Sequence, residues 1–255
     1  MNRNQPPALT LAFVLILLAP ASDALAQKKS SRKLDDKLTA ALHYDFYGVD
    51  GMRVSDQAKQ KHEGTIQNGE IVQGKRKPAV KLDGRGSILV AAGAGDLDPA
   101  QKAFSVGALC QPAASDGVLI AMGTEKNGFS VYLRESVPHF TVRSAGEVTS
   151  VAGDRPVAMN QWVHLMGTLA SDGQLSLVIN GWPTATAKGT LIADTPEQPL
   201  SIGAAGVGPT SDGQPLPNWT GLLEDIRLYW GVMDREHHRD ELGDWADLPG
   251  CGCRK

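Results

Sequence analysis

From Leu42 to Tyr229 the apolar residues fall in short runs that are cut by Gly, Asp, Pro and Ser. The clearest runs read LHYDFY, PAVKLD, SILVA, FSVGALC, GVLIAM, GFSVYLR, HFTVR, WVHLMGTL, LSLVIN, LSIG and LLEDIRLYW. Runs this short and this rich in Val, Leu and Ile predict strands, and their close spacing predicts an antiparallel two-sheet sandwich or jelly roll. No helical periodicity separates them, so alternating strand–helix units are not expected.

The stretch NQWVHLMGTLASDGQLSLVINGWP, Asn160 to Pro183, carries two hairpin signals. Ser-Asp-Gly ends one strand and starts the next, and Asn180-Gly181 suits a two-residue type I′ turn because both residues tolerate positive φ. That turn places Ile179 opposite Trp182 on one face of the sheet. In the preceding strand Trp162, His164, Met166 and Thr168 share one face, and Val163, Leu165 and Leu169 share the other. Both faces are largely apolar, which predicts a central strand covered on each side.

A helix is predicted once, over MDREHHRDELGDW (Met233–Trp245), with Asp234 as its cap and Gly243 as its stop. At the other end, Arg3 precedes the apolar run Leu9–Ala19 and the small-residue pattern Ala24-Leu25-Ala26. These are the parts of a secretory signal peptide over residues 1–26, cleaved before Gln27. Residues 27–41 are polar and charged and read as a linker, 42–242 as the folded domain, and 243–255 as a tail. After signal removal no apolar run is long enough to cross a bilayer as a helix. The expected location is outside the cytoplasm: secreted, periplasmic or at the cell surface.

Composition narrows the partners. The formal net charge of -3 offers no electrostatic case for nucleic acid. Three cysteines in an exported chain leave an odd count: Cys110 in a strand, Cys251 and Cys253 in the tail. Cys110 pairs with one tail cysteine, or the tail cysteines pair with each other, or Cys110 is an inert buried thiol; the sequence leaves the pairing open.

Catalytic patterns are missing. Retaining glycoside hydrolysis needs two carboxylates about 5 Å apart on one face. Glu224 and Asp225 are adjacent, so a regular strand sends them to opposite faces. Asp194 and Glu197 sit in a Pro-containing loop, and no G-x-S-x-G elbow is present. His164 is expected in the sheet scaffold, and His62 and His139 in loops or at strand edges. His237 and His238 pair with Glu241 and Asp234 in different helical directions, which does not make a three-ligand metal site. No enzyme is expected.

The run NQWVHLMGTLASDGQLSLVINGWPTA resembles the W-x-H-x-x-G-T…G-x-L-x-L-x-x-[DN]-G core of laminin-G-like, concanavalin A-like jelly-roll domains. VKLDGRGSILV is similar to that family's early strand pair, and GLLEDIRLYWGVMDREHHRDEL to its closing strand and helix. The resemblance implies an all-β sandwich of two antiparallel sheets, one of them concave, with a short C-terminal helix. It implies ligands at the concave face or the rim loops: extracellular carbohydrate, or a cell-surface protein. It also implies one Ca²⁺ at the rim, with Glu224, Asp45 and Asp83 at the matching positions. Trp182 and Trp219, both beside turns, are expected to stack on a sugar ring, with Asn127 as a polar contact; Trp219 ends an unusually long loop, Gly203–Trp219. A secreted, non-catalytic lectin-like module is the leading expectation. The alternatives are an adhesive cell-envelope module that contacts protein and, behind it, an exported glycoside hydrolase.

Overall fold

The structure, a computed structural model, describes residues 38–59, 61–90, 96–204, 213–234 and 237–238. The signal segment, most of the linker and the cysteine-bearing tail lie outside the described residues, as does most of the expected C-terminal helix. Within that helix Asp234 does cap a turn: its Oδ1 accepts the His237 N–H at 3.0 Å, and its carbonyl accepts the His238 N–H at 2.9 Å.

Fifteen strands form the described part of the domain, and all named strand pairs are antiparallel. In chain order they are β1 (Thr39–Tyr44), β2 (Val49–Asp50), β3 (Arg53–Val54), β4 (Gly64–Gln73), β5 (Pro78–Val90), β6 (Phe104–Pro112), β7 (Gly117–Gly123) and β8 (Gly128–Arg134). The chain continues through β9 (Val137–Ser144), β10 (Glu147–Ala152), β11 (Val163–Leu169), β12 (Gln174–Ile179), β13 (Trp182–Lys188), β14 (Ser201–Ile202) and β15 (Thr220–Trp230).

Two layers arise because the long β4–β5 hairpin bends through both. The first halves of β5 and the last of β4 lie beside β15, where Leu82 pairs with Gly221 and Gly69. Past Gly84, at φ +86°, β5 turns away and Ile88 pairs with Ile202 of β14. One layer is therefore β13-β12-β11-β6-β15, with β5 and β1 on its far side; the other is β10-β9-β8-β7-β14-β5-β4.

Between the layers sits one apolar core. Phe104 of β6 lies 4.8 Å from the Phe129 ring and 6.2 Å from the Phe140 ring of the opposite layer. Cys110 is part of this core as a free, fully buried thiol, and burial pushes its pKa far up, so it behaves as a small apolar side chain. Gly167, the glycine of the W-x-H-x-x-G-T run, has a structural reason: a Cβ there would collide with the Phe140 ring across the core.

The outward face of β11 is covered too, as its pattern predicts. Met166 joins Leu109, Val178, Tyr229 and Met233 in a second, smaller cluster. Met233 is brought there by the chain after β15, where its N–H donates to Ser105 Oγ at 2.8 Å and Ser105 donates to the Gly231 carbonyl at 2.9 Å.

Two buried carboxylates fasten loops to this frame. Asp56, nearly sealed from solvent, accepts the N–H groups of His43, Ala58 and His62, each at 2.8 Å. Glu224 accepts the N–H groups of Lys75, Arg76 and Lys77 at 2.6, 3.2 and 3.1 Å, which ties the tip of the β4–β5 hairpin onto β15.

Candidate functional site

The β11–β12–β13 meander shapes one rim of the sandwich. Asn180 and Gly181 adopt φ of 52° and 77°, the positive values that a type I′ turn demands. The Asn180 side chain reaches back, and its Oδ1 accepts the His164 N–H at 2.9 Å. This bond fixes the turn against β11 and sets the direction in which Trp182 leaves β13, opposite Ile179.

Facing the turn is the loop of residues 153–162. Together they enclose an open cleft of about 480 Å³ lined by Asp154, Arg155, Val157, Gln161, Trp162 and Trp182 among others. Both indoles are half-buried. Asp154 and Arg155 form an exposed ion pair at 3.8 Å, which leaves the cleft close to neutral. Half-exposed aromatic faces beside amide and charged groups suit a ligand that has both apolar C–H surface and hydroxyls.

Of the residues expected to bind, only Trp182 is found in this cleft. Trp219 is a correction: it is 1% exposed and packs in the inter-layer core, out of reach of a ligand. Its position beside a turn is real, but the following residues enter β15 and draw the ring inward. Asn127 is a second correction. Its Oδ1 accepts the Ala145 N–H at 2.9 Å and joins the β7–β8 turn to the β9–β10 turn.

Trp162 was absent from the expected set because the W-x-H run reads as scaffold. The available signal was parity: Trp162 shares the outward face with His164 but stands at the strand's open end. Asp154, Arg155 and Gln161 lie in a loop with no periodicity to mark them.

The three carboxylates expected around calcium are not brought together. Glu224 is spent on the hairpin tip, Asp45 Oδ1 accepts the Tyr47 N–H at 3.1 Å, and Asp83 Oδ2 is held by Arg85 at 2.5 Å. Among the described residues no three His, Cys, Asp or Glu side chains converge as metal ligands would. Cys251 and Cys253 lie outside the described residues.

Glu224 and Asp225 also depart from strand alternation. Between the pairs Glu224–Leu109 and Arg227–Gly107 the closing strand holds one extra residue, and Asp225 sits there at φ 53°. This bulge turns Asp225 to the same outward side as Glu224. Asp225 meets Arg227 there at 2.9 Å, His43 Nε2 at 2.8 Å and Lys77 Nζ at 3.4 Å. Burial opposes its charge, but His43, Arg227 and Lys77 outweigh that and hold the carboxyl well below the usual range. Burial pushes Glu224 upward against its three N–H donors. Both carboxylates are buried and committed to the protein itself, and neither faces the cleft.

A laminin G-type family model described as the concanavalin A-like lectin/glucanases superfamily matches residues 83–237, well over half of the chain. The chain belongs to this superfamily. Among solved structures it is similar to domain 4 of AbnA, a GH43 extracellular arabinanase from Geobacillus stearothermophilus, in complex with arabinotriose: 18% identity, 80% of this chain and 98% of that one, TM-score 0.61. It is similar also to the binding domain of botulinum neurotoxin DC in complex with SialylT (12% identity, 81% and 52% coverage, TM-score 0.63). A third is the binding domain of paraclostridial mosquitocidal protein 1 (13% identity, 78% and 50% coverage, TM-score 0.60). The chain spans about half the length of these two toxin domains. At such identities the likeness is one of fold. No curated protein matches by sequence.

Proposed function

We propose that the protein is an exported, non-catalytic carbohydrate-binding module that holds an extracellular glycan in the rim cleft between the 153–162 loop and the β12–β13 turn. One observation carries this reading: Trp162 and Trp182, twenty residues apart in sequence, are half-buried in the walls of one open cleft that also presents Gln161, Asp154 and Arg155. Indole faces gain by covering the C–H face of a sugar ring, while the amide and charged groups orient its hydroxyls. The likeness to an arabinanase domain that carries arabinotriose supports a sugar as the ligand class. Export rests on the signal-peptide pattern of residues 1–26.

The test is a glycan array probed with the purified mature chain and with Trp162→Ala and Trp182→Ala. The reading expects a glycan signal that both variants lose. Silence across the array from a folded wild-type protein refutes it and moves the role of the cleft to a protein partner.

A further inference from the structure

A second open cleft, of about 510 Å³, lies beside the first and is lined by Lys81, Asp83, Gln111, Asn160, Thr220 and Leu222 among others. The two are neighbours along the chain itself. Asn160 lines the second, and the next two residues, Gln161 and Trp162, line the first. Two hydrogen bonds fasten the junction: Gln111 Nε2 donates to the Asn160 carbonyl at 3.1 Å, and the Asn160 N–H donates to the Pro112 carbonyl at 2.7 Å.

Strand register sets the alignment. Val163 pairs with Cys110, so Trp162 stands next to Gln111; Gln111 pairs with Leu222, and Leu222 pairs with Lys81. All four alternate with core residues and therefore share the outward face of the β13–β15 layer. They form one row across β11, β6, β15 and β5. Trp182, opposite Ile179 on the Leu165 face, meets this row only at the rim cleft, and at a strand spacing of about 4.8 Å the row itself runs about 14 Å. That is the length of several pyranose or furanose rings, not of one.

The chemistry changes along the row. Trp162 stands at one end, where the rim cleft adds Trp182 from the β12–β13 turn, and amide and hydroxyl groups of Gln111, Asn160 and Thr220 follow. The charges offset one another: Asp83 is held by Arg85 at 2.5 Å, Asp154 by Arg155 at 3.8 Å, and Lys81 faces Glu70 across the β4–β5 pair. An anionic polymer finds no unbalanced cationic track here.

We propose that the two clefts are one continuous groove, and that it takes an internal stretch of a neutral, linear polysaccharide rather than a single sugar or a chain end. This rests on the carbohydrate-binding reading of the Trp162–Trp182 cleft and adds the length and charge class of the ligand. Aromatic stacking anchors the chain at one end, and the Asn160–Leu222 side adds hydrogen bonds that only a longer ligand reaches.

Isothermal titration of the chain with linear arabino-, xylo- and cello-oligosaccharides, from disaccharide to hexasaccharide, tests it. The expected result is an affinity that rises with length in at least one series. Gln111→Ala and Lys81→Ala should each lower hexasaccharide affinity about five- to tenfold, the worth of a hydrogen bond or two, and so shrink the ratio of hexasaccharide to disaccharide affinity. Lys81 is an exposed side chain, so that variant keeps the test valid if Gln111→Ala misfolds. Disaccharide binding that does not improve with length, with both variants like wild type, overturns the groove and leaves the rim cleft standing. Stronger binding to a polyuronate oligomer than to any neutral series overturns the charge class. No binding to any oligosaccharide overturns both readings.

Discussion

Asp225 and Arg227 lie on the outward side of the closing strand as a two-pronged ion pair, Nε to Oδ1 at 2.9 Å and Nη2 to Oδ2 at 3.0 Å, with almost no solvent access. Arg227 also donates to Tyr229 Oη at 2.7 Å, and His43 reaches the same carboxylate from β1. The pair thus ties β1 to β15, and removing one partner leaves a buried charge without compensation. Arg227→Met is expected to cost about 3–5 kcal/mol in urea unfolding, and Asp225→Asn a similar amount. A loss below about 1 kcal/mol in both would show that the pair does not hold the strand.

Gly167→Ala tests the core from a different side. The added methyl has to displace Phe140, which comes from the other layer, so the variant is expected to lose about 1–3 kcal/mol by overpacking. Combining it with Phe140→Leu should recover part of that loss. If the single substitution is neutral, the layers are not packed as closely as the structure has them.

Acid should loosen the segment after β15. His164 and His238 pack edge to face, 5.5 Å apart, and both are buried. Burial lowers His238 from 6.5 to about 4, against the raising effect of Asp234, and burial, with His238 and Arg227 nearby, holds His164 well below 6.5, against Asp225. A histidine with a depressed folded pKa takes up protons on unfolding. Its stabilisation is complete above the unfolded value of 6.5 and drains away as pH falls toward 4. The expected loss from His238 alone is about 3 kcal/mol over that window. Urea melts from about pH 7 to 4.5 should show it, and His238→Phe should flatten the slope; an equal slope in the variant would assign the pH dependence elsewhere.

Calcium is expected to leave the domain unchanged. Glu224, Asp45 and Asp83 each accept hydrogen bonds from protein donors in separate places. After chelator treatment, adding Ca²⁺ should shift neither the melting temperature nor the heat signal. A clear rise in melting temperature would mean that oxygens other than these three form a site.

The layered fold was legible because the central strands alternate under heavy burial on both sides. β6, β7, β8 and β11 are buried almost throughout, and Asn180-Gly181 between β12 and β13 takes the positive φ values that its turn requires. The strands that the pattern did not reveal are β2, β3, β4 and β10, and β13 was marked only by the turn before it. They bury few side chains, so Thr, Glu, Gln and Ala stand where an apolar period would be expected. PAVKLD and SILVA, read as two strands, are one strand bent at Gly84, since a bend between layers keeps the hydrogen bonds going while the partner changes.

The site was less legible because it depends on departures from regularity. The bulge at Asp225 reverses the expected facing of one carboxylate, and nothing in Leu-Glu-Asp-Ile announces an extra residue. Trp182 and Trp219 look alike in sequence, each beside a turn, but one leaves a hairpin at the rim and the other leads into a central strand. Burial separates them, and burial depends on what the rest of the chain places nearby.

The chain has five tryptophans, so indole N–H resonances can be followed one by one in a glycan titration by NMR. With a glycan that scores on the array, the account predicts that the Trp162 and Trp182 signals move together and saturate at one ligand concentration, while the core Trp219 signal stays in place. Movement of Trp219 alone, or saturation of binding with Trp162 and Trp182 both stationary, would contradict it.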